Sequence, residues 1–251
     1  MIILTSNNFG YFNKAPLCLT KMVLIIGLQI SYGQSVQSIH EKYLQNLGSR
    51  RCIDSITTIF LSGDGFDSQT GTRYIVNIHK ALPNLCSYER INDTDTTYFN
   101  YDGHTNCLGS RPERNSIKLL NKILSDNQSY FRNEKLFNDF VYIGDKCTLI
   151  KRIVESDEEF YVLEYNDKKF IQTFYINCQT YNISKEVVYN TISTAKKETK
   201  YSNFKIINCI NIPLTEVSNF NIDGIPTSTS IYNYKTVVIN KDMSKHRFSC
   251  D

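Results

Sequence analysis

Imidazole serves metal binding and proton transfer alike, so the four histidines come first. His40, His79, His104 and His246 are dispersed, with no His-x-x-x-His spacing and no paired carboxylates nearby, and they suggest no metal site. The eight cysteines contain no C-x-x-C and no close Cys/His pairing of the zinc type. Neither a G-x-S-x-G elbow, a P-loop nor a Rossmann fingerprint occurs, and no nucleophile stands beside a base. Asp64, Asp67, Asp93 and Asp95 lack the 12-residue calcium-loop pattern and are better explained by turn chemistry, and Asp157-Glu158-Glu159 by a solvated hairpin tip. Asn92-Asp-Thr94, Asn127-Gln-Ser129 and Asn182-Ile-Ser184 match the glycosylation sequon, a triplet that arises readily by chance in an Asn-rich chain. The expectation is a protein that is not an enzyme, with no cofactor and no metal.

Whatever function exists must then come from shape, and the elements point to a sheet. Tyr (17) and Phe (14) abound while Trp is absent, and with many Ile, Val and Thr this composition favours strands. The formal charge is +3. Met22 to Ile30 is an apolar run preceded by Lys14 and Lys21 and followed by Ser31-Tyr32-Gly33, small residues at the −3 and −1 positions of a cut before Gln34. Residues 1–33 are therefore expected to be a signal peptide, with translation from Met22 as a variant, and 34–251 a single domain. The other reading of Met22–Ile30 is a buried strand or helix. The run is too short to span a bilayer, so no integral membrane protein is expected. Loss of Lys14 and Lys21 would bring the charge close to neutral, which leaves no basic footprint for nucleic acid. Cys18 would leave with the leader, so an odd number of cysteines remains. One or two disulfides are possible, in pairings left open, and the other thiols would act as small buried hydrophobes.

After the cut, Gln34–Leu47 reads as an amphipathic helix with Ile39, Tyr43, Leu44 and Leu47 on one face, stopped by Gly48. Short runs bounded by turn residues follow: Thr57–Phe66, Gly71–His79, Asn84–Ile91 and Thr96–Tyr101. Pro112–Gln128 carries a helical stripe, Ile117, Leu120, Ile123 and Leu124. Strands resume with Phe160–Tyr165 and Phe170–Ile176, then Lys185–Asn190, Lys197–Ile207, Ile210–Phe220 and Ser228–Ile239. The total is about eleven or twelve strands in an antiparallel meander. So long a sheet must curl, and with helices over its mouth it would enclose apolar volume.

The order of these signatures resembles the LolA/LolB-like lipoprotein-carrier family, in particular the outer-membrane lipoprotein-sorting proteins of Bacteroidetes. The matching pieces are the opening helix Ser38–Gly48, Ile53, the strand Ile56–Gly63, Leu82-Pro-Asn-Leu-Cys-Ser-Tyr-Glu-Arg90, Tyr101-Asp-Gly-His104 with Pro112, Asn211-Ile-Pro213, and Asn240 with Phe248. The resemblance implies a mainly β (α+β) fold: a strongly curved antiparallel sheet forming an incomplete β-barrel, with two or three covering helices. It further implies a periplasmic or envelope carrier of lipid or lipoprotein acyl chains, working with envelope transport proteins. Two positions depart from the pattern. Leu82 stands where carriers place an Arg that latches the lid, with Lys80 two residues earlier, and Asn106-Cys107 replaces a Gly-Trp step. Expected contributors to the concave face are Phe60, Leu61, Tyr74, Val76, Leu85, Tyr98, Phe99, Tyr161, Leu163, Phe174 and Ile176. The competing functional reading is an assembly or interaction protein that uses the same fold with a filled core and no ligand.

Overall fold

The computed structural model describes residues 34–102, 106–111, 136–243 and Phe248. The expected leader, the helical stripe within 112–128, His104, His246 and Cys250 lie outside these residues. Helix α1 (Val36–Leu47) turns Ile39, Tyr43 and Leu47 into the core together with His40, and Gly48 donates its N–H to the Leu44 carbonyl. A second short helix, α2 (Arg50–Asp54), is capped by Ser49, whose Oγ accepts from the Cys52 N–H at 3.3 Å.

Among the described residues twelve strands follow in one antiparallel sheet. They are β1 (Thr58–Asp67), β2 (Thr72–Ala81), β3 (Leu85–Ile91), β4 (Thr96–Tyr101), β5 (Asn106–Arg111), β6 (Thr148–Glu155), β7 (Glu158–Asn166), β8 (Phe170–Asn177), β9 (Ile183–Asn190), β10 (Ala195–Ile207), β11 (Ile210–Ile222) and β12 (Ile225–Ile239). Helix α3 (Phe140–Ile143) and the 3₁₀ turn Gly144–Lys146 precede β6. The spatial order is β5-β4-β3-β2-β1-β12-β11-β10-β9-β8-β7-β6. The chain thus meanders outward from β1 to one edge, crosses to the other edge, and meanders back until β12 pairs with β1. The sheet is not closed into a barrel. Among the described residues no helix is long and apolar enough to cross a membrane.

Four of the hairpins turn by one repeated device. A strand ends in Asn or Asp, and that side chain accepts the N–H groups two and three residues on, an Asx turn. Asp67, Asn92, Asn177 and Asn190 all do this through Oδ1. The acidic residues of the first hairpins accordingly do structural work: Asp67 folds its turn, and Asp64 pairs with Lys235 at 2.6 Å.

Two glycines in β1 let the sheet bend. The register with β12 shifts between Ser62 and Gly63, where a Cβ on Gly63 would lie 2.0 Å from the Asn233 carbonyl oxygen. On the same face a Cβ on Gly65 would lie 2.1 Å from the Tyr74 ring. Glycine inside a strand ordinarily weakens it, and here it admits close backbone and ring approach at a bulge.

Candidate functional site

Residues paired across neighbouring strands share a face, so the register sorts the candidates. Ile59, Leu61, Gly63 and Gly65 of β1 face inward with Ile78, Val76 and Tyr74 of β2. In the other half of the sheet Tyr161 and Leu163 pair with Ile176 and Phe174. Tyr74, Val76, Tyr161, Leu163, Phe174 and Ile176 therefore lie on the inner face, as do Leu61 and Phe99, and all belong to one continuous apolar cluster. Leu163, Phe174, Ile176 and Val76 have no exposed surface. Their neighbours in the cluster are Ile39, Tyr43 and Leu47 of α1, Phe140 of α3, and Ile210, Ile212 and Leu214 of β11.

Phe60, Leu85 and Tyr98 lie on the opposite face, contrary to the sequence reading. Phe60 pairs with His79, Leu85 with Ala81 and Tyr98 with Glu89, all out of phase with Leu61, Val76 and Phe99. The runs Ile59-Phe60-Leu61 and Tyr98-Phe99 put large residues at successive positions, and a strand can turn only alternate ones inward. Phe60 is packed outside the cluster: its ring lies 4.5 Å from that of His79, with Lys241 Nζ 4.4 Å above it.

Leu82 follows β2, and the Leu82–Pro83 peptide is cis. It lines a cleft of 250 Å³ with Leu44, Ile53, Ile56, Leu136, Phe137 and Val141. Leu82 thus faces the segment leading into α3 across this cleft, which Arg50 and Asp54 also line.

That segment is also held by polar bonds. Asn138 Nδ2 donates to Glu186 Oε2 at 2.9 Å, Tyr201 Oη donates to the same oxygen at 2.9 Å, and Gln172 Nε2 donates to Asp139 Oδ2 at 2.8 Å. Burial, with the nearby Asp139 charge, raises the Glu186 carboxyl above the ordinary carboxylate range. Because its folded pKa exceeds its unfolded one, the native state keeps this proton to higher pH, and stability falls as pH rises through that window. Glu186→Gln retains an oxygen to accept both bonds and never ionises. Melting curves between about pH 4 and 8 should show the variant matching the wild type in acid and exceeding it at the upper end; parallel curves would refute this.

A second polar group occupies the inner face of β1–β3 and β12. Arg90, paired with Val76 and Thr97, donates from Nε to Tyr88 Oη at 2.9 Å and from Nη2 to Tyr232 Oη at 3.4 Å. Its guanidinium lies 4.8 Å over the Tyr74 ring and 5.5 Å from the Tyr88 ring, and Nη1 is 3.5 Å from Asp67 Oδ2. Burial raises the Tyr88 and Tyr74 hydroxyls, which stay neutral around the cation. From Asp67 the register continues through Ser230 and Ser218 to Thr199, all three buried, with the Thr199 and Ser218 hydroxyls 3.0 Å apart. The inner face is therefore graded, apolar under α1 and α3 and rich in hydroxyls and charge towards the β1–β2 turn. The sequence reading missed Arg90, Glu186 and Tyr201. The only trace of the first is the i, i+2 spacing of Cys86, Tyr88 and Arg90 along one strand.

Comparison with solved structures finds the same fold at low identity. An outer membrane lipoprotein-sorting protein domain from Vibrio parahaemolyticus aligns with a TM-score of 0.56 at 10% identity, over 85% of this chain and 97% of that one. A DUF1329 family protein from Desulfovibrio piger aligns at 0.55 and 11% identity, over 86% and 98%. A LolA superfamily protein from Nitrosomonas europaea aligns at 0.50 and 14% identity, over 86% and 98%. No protein-family model and no curated protein matches the sequence.

Proposed function

We propose that this chain is a periplasmic or envelope carrier that shelters lipid or lipoprotein acyl chains against the inner face of its curved sheet. It binds its cargo without transforming it and passes it to envelope transport proteins. The observation that carries this reading is the open twelve-stranded sheet whose inner face bears one continuous apolar cluster beneath α1 and α3. Such a face is the concave, largely apolar kind of surface that ligands of acyl-chain type occupy. The LolA superfamily likeness supports it at the level of fold. Export is supported by the leader pattern at Met22–Gly33 and by the Cys52–Cys209 disulfide, a bond that persists in oxidising compartments.

The inner residues Val76, Leu163, Phe174 and Ile176 are fully packed, which favours the second reading, a binding platform with a filled core. Native mass spectrometry of the mature protein purified from its own envelope separates the two. The carrier reading expects lipid or acylated protein at near-stoichiometric level, released on denaturation. An empty protein that also rejects added fatty acids and phospholipids would leave the platform.

A further inference from the structure

We propose that Arg90 anchors the anionic headgroup of an amphiphile on the inner face, within the cage of Tyr74, Tyr88 and Tyr232. The inference rests on the carrier reading and narrows its cargo to lipids that end in a carboxylate or phosphate.

Four observations converge on this site. First, the cation has one long ion-pair contact among the described residues. Its acidic partner Asp67 has Oδ1 occupied by the N–H groups of Gln69 and Thr70, which leaves only Oδ2, at 3.5 Å, to face the guanidinium. Second, the guanidinium has donors to spare. A guanidinium carries five N–H donors in a planar fork matched to oxyanions. Tyr88, Tyr232 and Asp67 are its polar partners among the described residues, and the side chain remains 36% exposed. Third, the Tyr74 hydroxyl is buried beside the Tyr88 and Tyr232 hydroxyls and makes no hydrogen bond of ordinary geometry among the described residues. A buried hydroxyl left unpaired carries a desolvation cost that an anionic oxygen would relieve. Fourth, the surroundings change character at this point. Val76, Leu61 and Phe99 lie on the apolar side, while Asp67, Ser230, Ser218 and Thr199 continue the polar row. An amphiphile has the same division, with its chain on the apolar cluster and its headgroup at Arg90.

An arginine held by tyrosine oxygens also discriminates by charge. Tyrosine hydroxyls donate to or accept from alcohols and anions alike, whereas the guanidinium favours the anion through charge-assisted bonds. Selectivity between an alkanol and an alkanoate of equal chain length therefore isolates Arg90.

The test is calorimetric titration of the full mature chain with laurate, dodecanol and acetate, repeated on Arg90→Gln, Arg90→Lys and Tyr232→Phe. The wild type should prefer laurate over dodecanol by about tenfold or more, the scale of one charge-assisted bond, and ignore acetate. Arg90→Gln should lose that preference, and Arg90→Lys should retain part of it. Tyr232→Phe removes one acceptor from the guanidinium without removing a ring, so it keeps the question open to test if the arginine variants do not fold. It should shift the ratio of laurate to dodecanol affinity severalfold, and an unchanged ratio counts against the anchor. An equal preference in Arg90→Gln and wild type, or no preference in the wild type, overturns the anchor and leaves the carrier reading standing. Acetate bound as tightly as laurate overturns it in favour of a free-anion site. Failure of every amphiphile to bind overturns both.

Discussion

Phe140→Ala is expected to cost the fold about 3–5 kcal/mol, the range for truncating a fully buried aromatic residue. Phe140 has no exposed surface, and its ring meets three others: His40 at 5.2 Å, Tyr43 at 5.0 Å and Phe174 at 4.9 Å. These contacts join α1, α3 and the inner face of β8 at a single side chain. Helix α3 has only four residues, far fewer than a helix needs to persist by itself, so packing holds it in place. The surroundings have little freedom to collapse into the hole. Gly144 already lies so close to His40 that an added Cβ would stand 2.4 Å from its ring. At the usual sensitivity of a domain this size, the melting temperature should drop by roughly 6–20 °C. Urea unfolding followed by tyrosine fluorescence gives the free energy directly, and Phe140→Leu should recover much of it. A loss below about 1 kcal/mol would mean that the segment around α3 lies outside the cooperative unit, and would count against its role as a cover.

The meander was legible in the sequence because its hairpins announce themselves. Asp67, Asn92, Asp167 and Asn190 end apolar runs with side chains that fold the following turn, and the strand ends fall within a few residues of those marks. Strand β6 was not legible. It lies at the edge of the sheet, most of its side chains are exposed, and Thr148–Glu155 therefore needs no alternation of apolar and polar residues. The face of each strand was only partly legible. Leu163 stands between the smaller Val162 and the charged Glu164 and declares its side, whereas Phe60, Tyr98 and Tyr161 each stand next to another large apolar residue and do not. The polar part of the inner face was hidden for a different reason. Arg90 reads as an ordinary charge near a turn until the register brings Tyr74 from β2 and Tyr232 from β12 against it. Glu186 is separated from Asn138 by 48 residues and from Tyr201 by 15, so no local pattern connects them. Chemistry assembled by sheet register leaves little periodic trace in the chain.

The same holds for the disulfide, and it carries the other large expected effect. Cys52 in α2 is bonded to Cys209 at the tip of the β10–β11 hairpin, across 157 residues. Chain-entropy reasoning gives a loop of that length about 5 kcal/mol of stabilisation through restriction of the unfolded chain. Native contacts at the joint add to the effect. A Cβ on Gly48 would lie 2.7 Å from the Cys209 carbonyl oxygen, so the hairpin tip presses on the turn between α1 and α2, and Ile210 beside it is fully buried. The double variant Cys52→Ala/Cys209→Ala should therefore melt roughly 10–20 °C below the wild type. Reductant should lower the wild type by a similar amount and leave the variant unmoved. Two of the described free thiols offer little competition, while the third, Cys178, is partly exposed. Cys86 and Cys147 are buried, and burial, reinforced by the Asp145 charge, pushes the Cys147 thiol up to about 12. The thiolate is the exchanging species, so a thiol raised that far exchanges slowly with the native bond. If the variant melts within a degree or two of the wild type, the packing of α1 and α2 on β11 is sufficient without the bond, and the disulfide loses its value as support for export. If it melts far below, the chain reaches full stability only where cysteines oxidise, which is the environment a carrier between membranes would occupy.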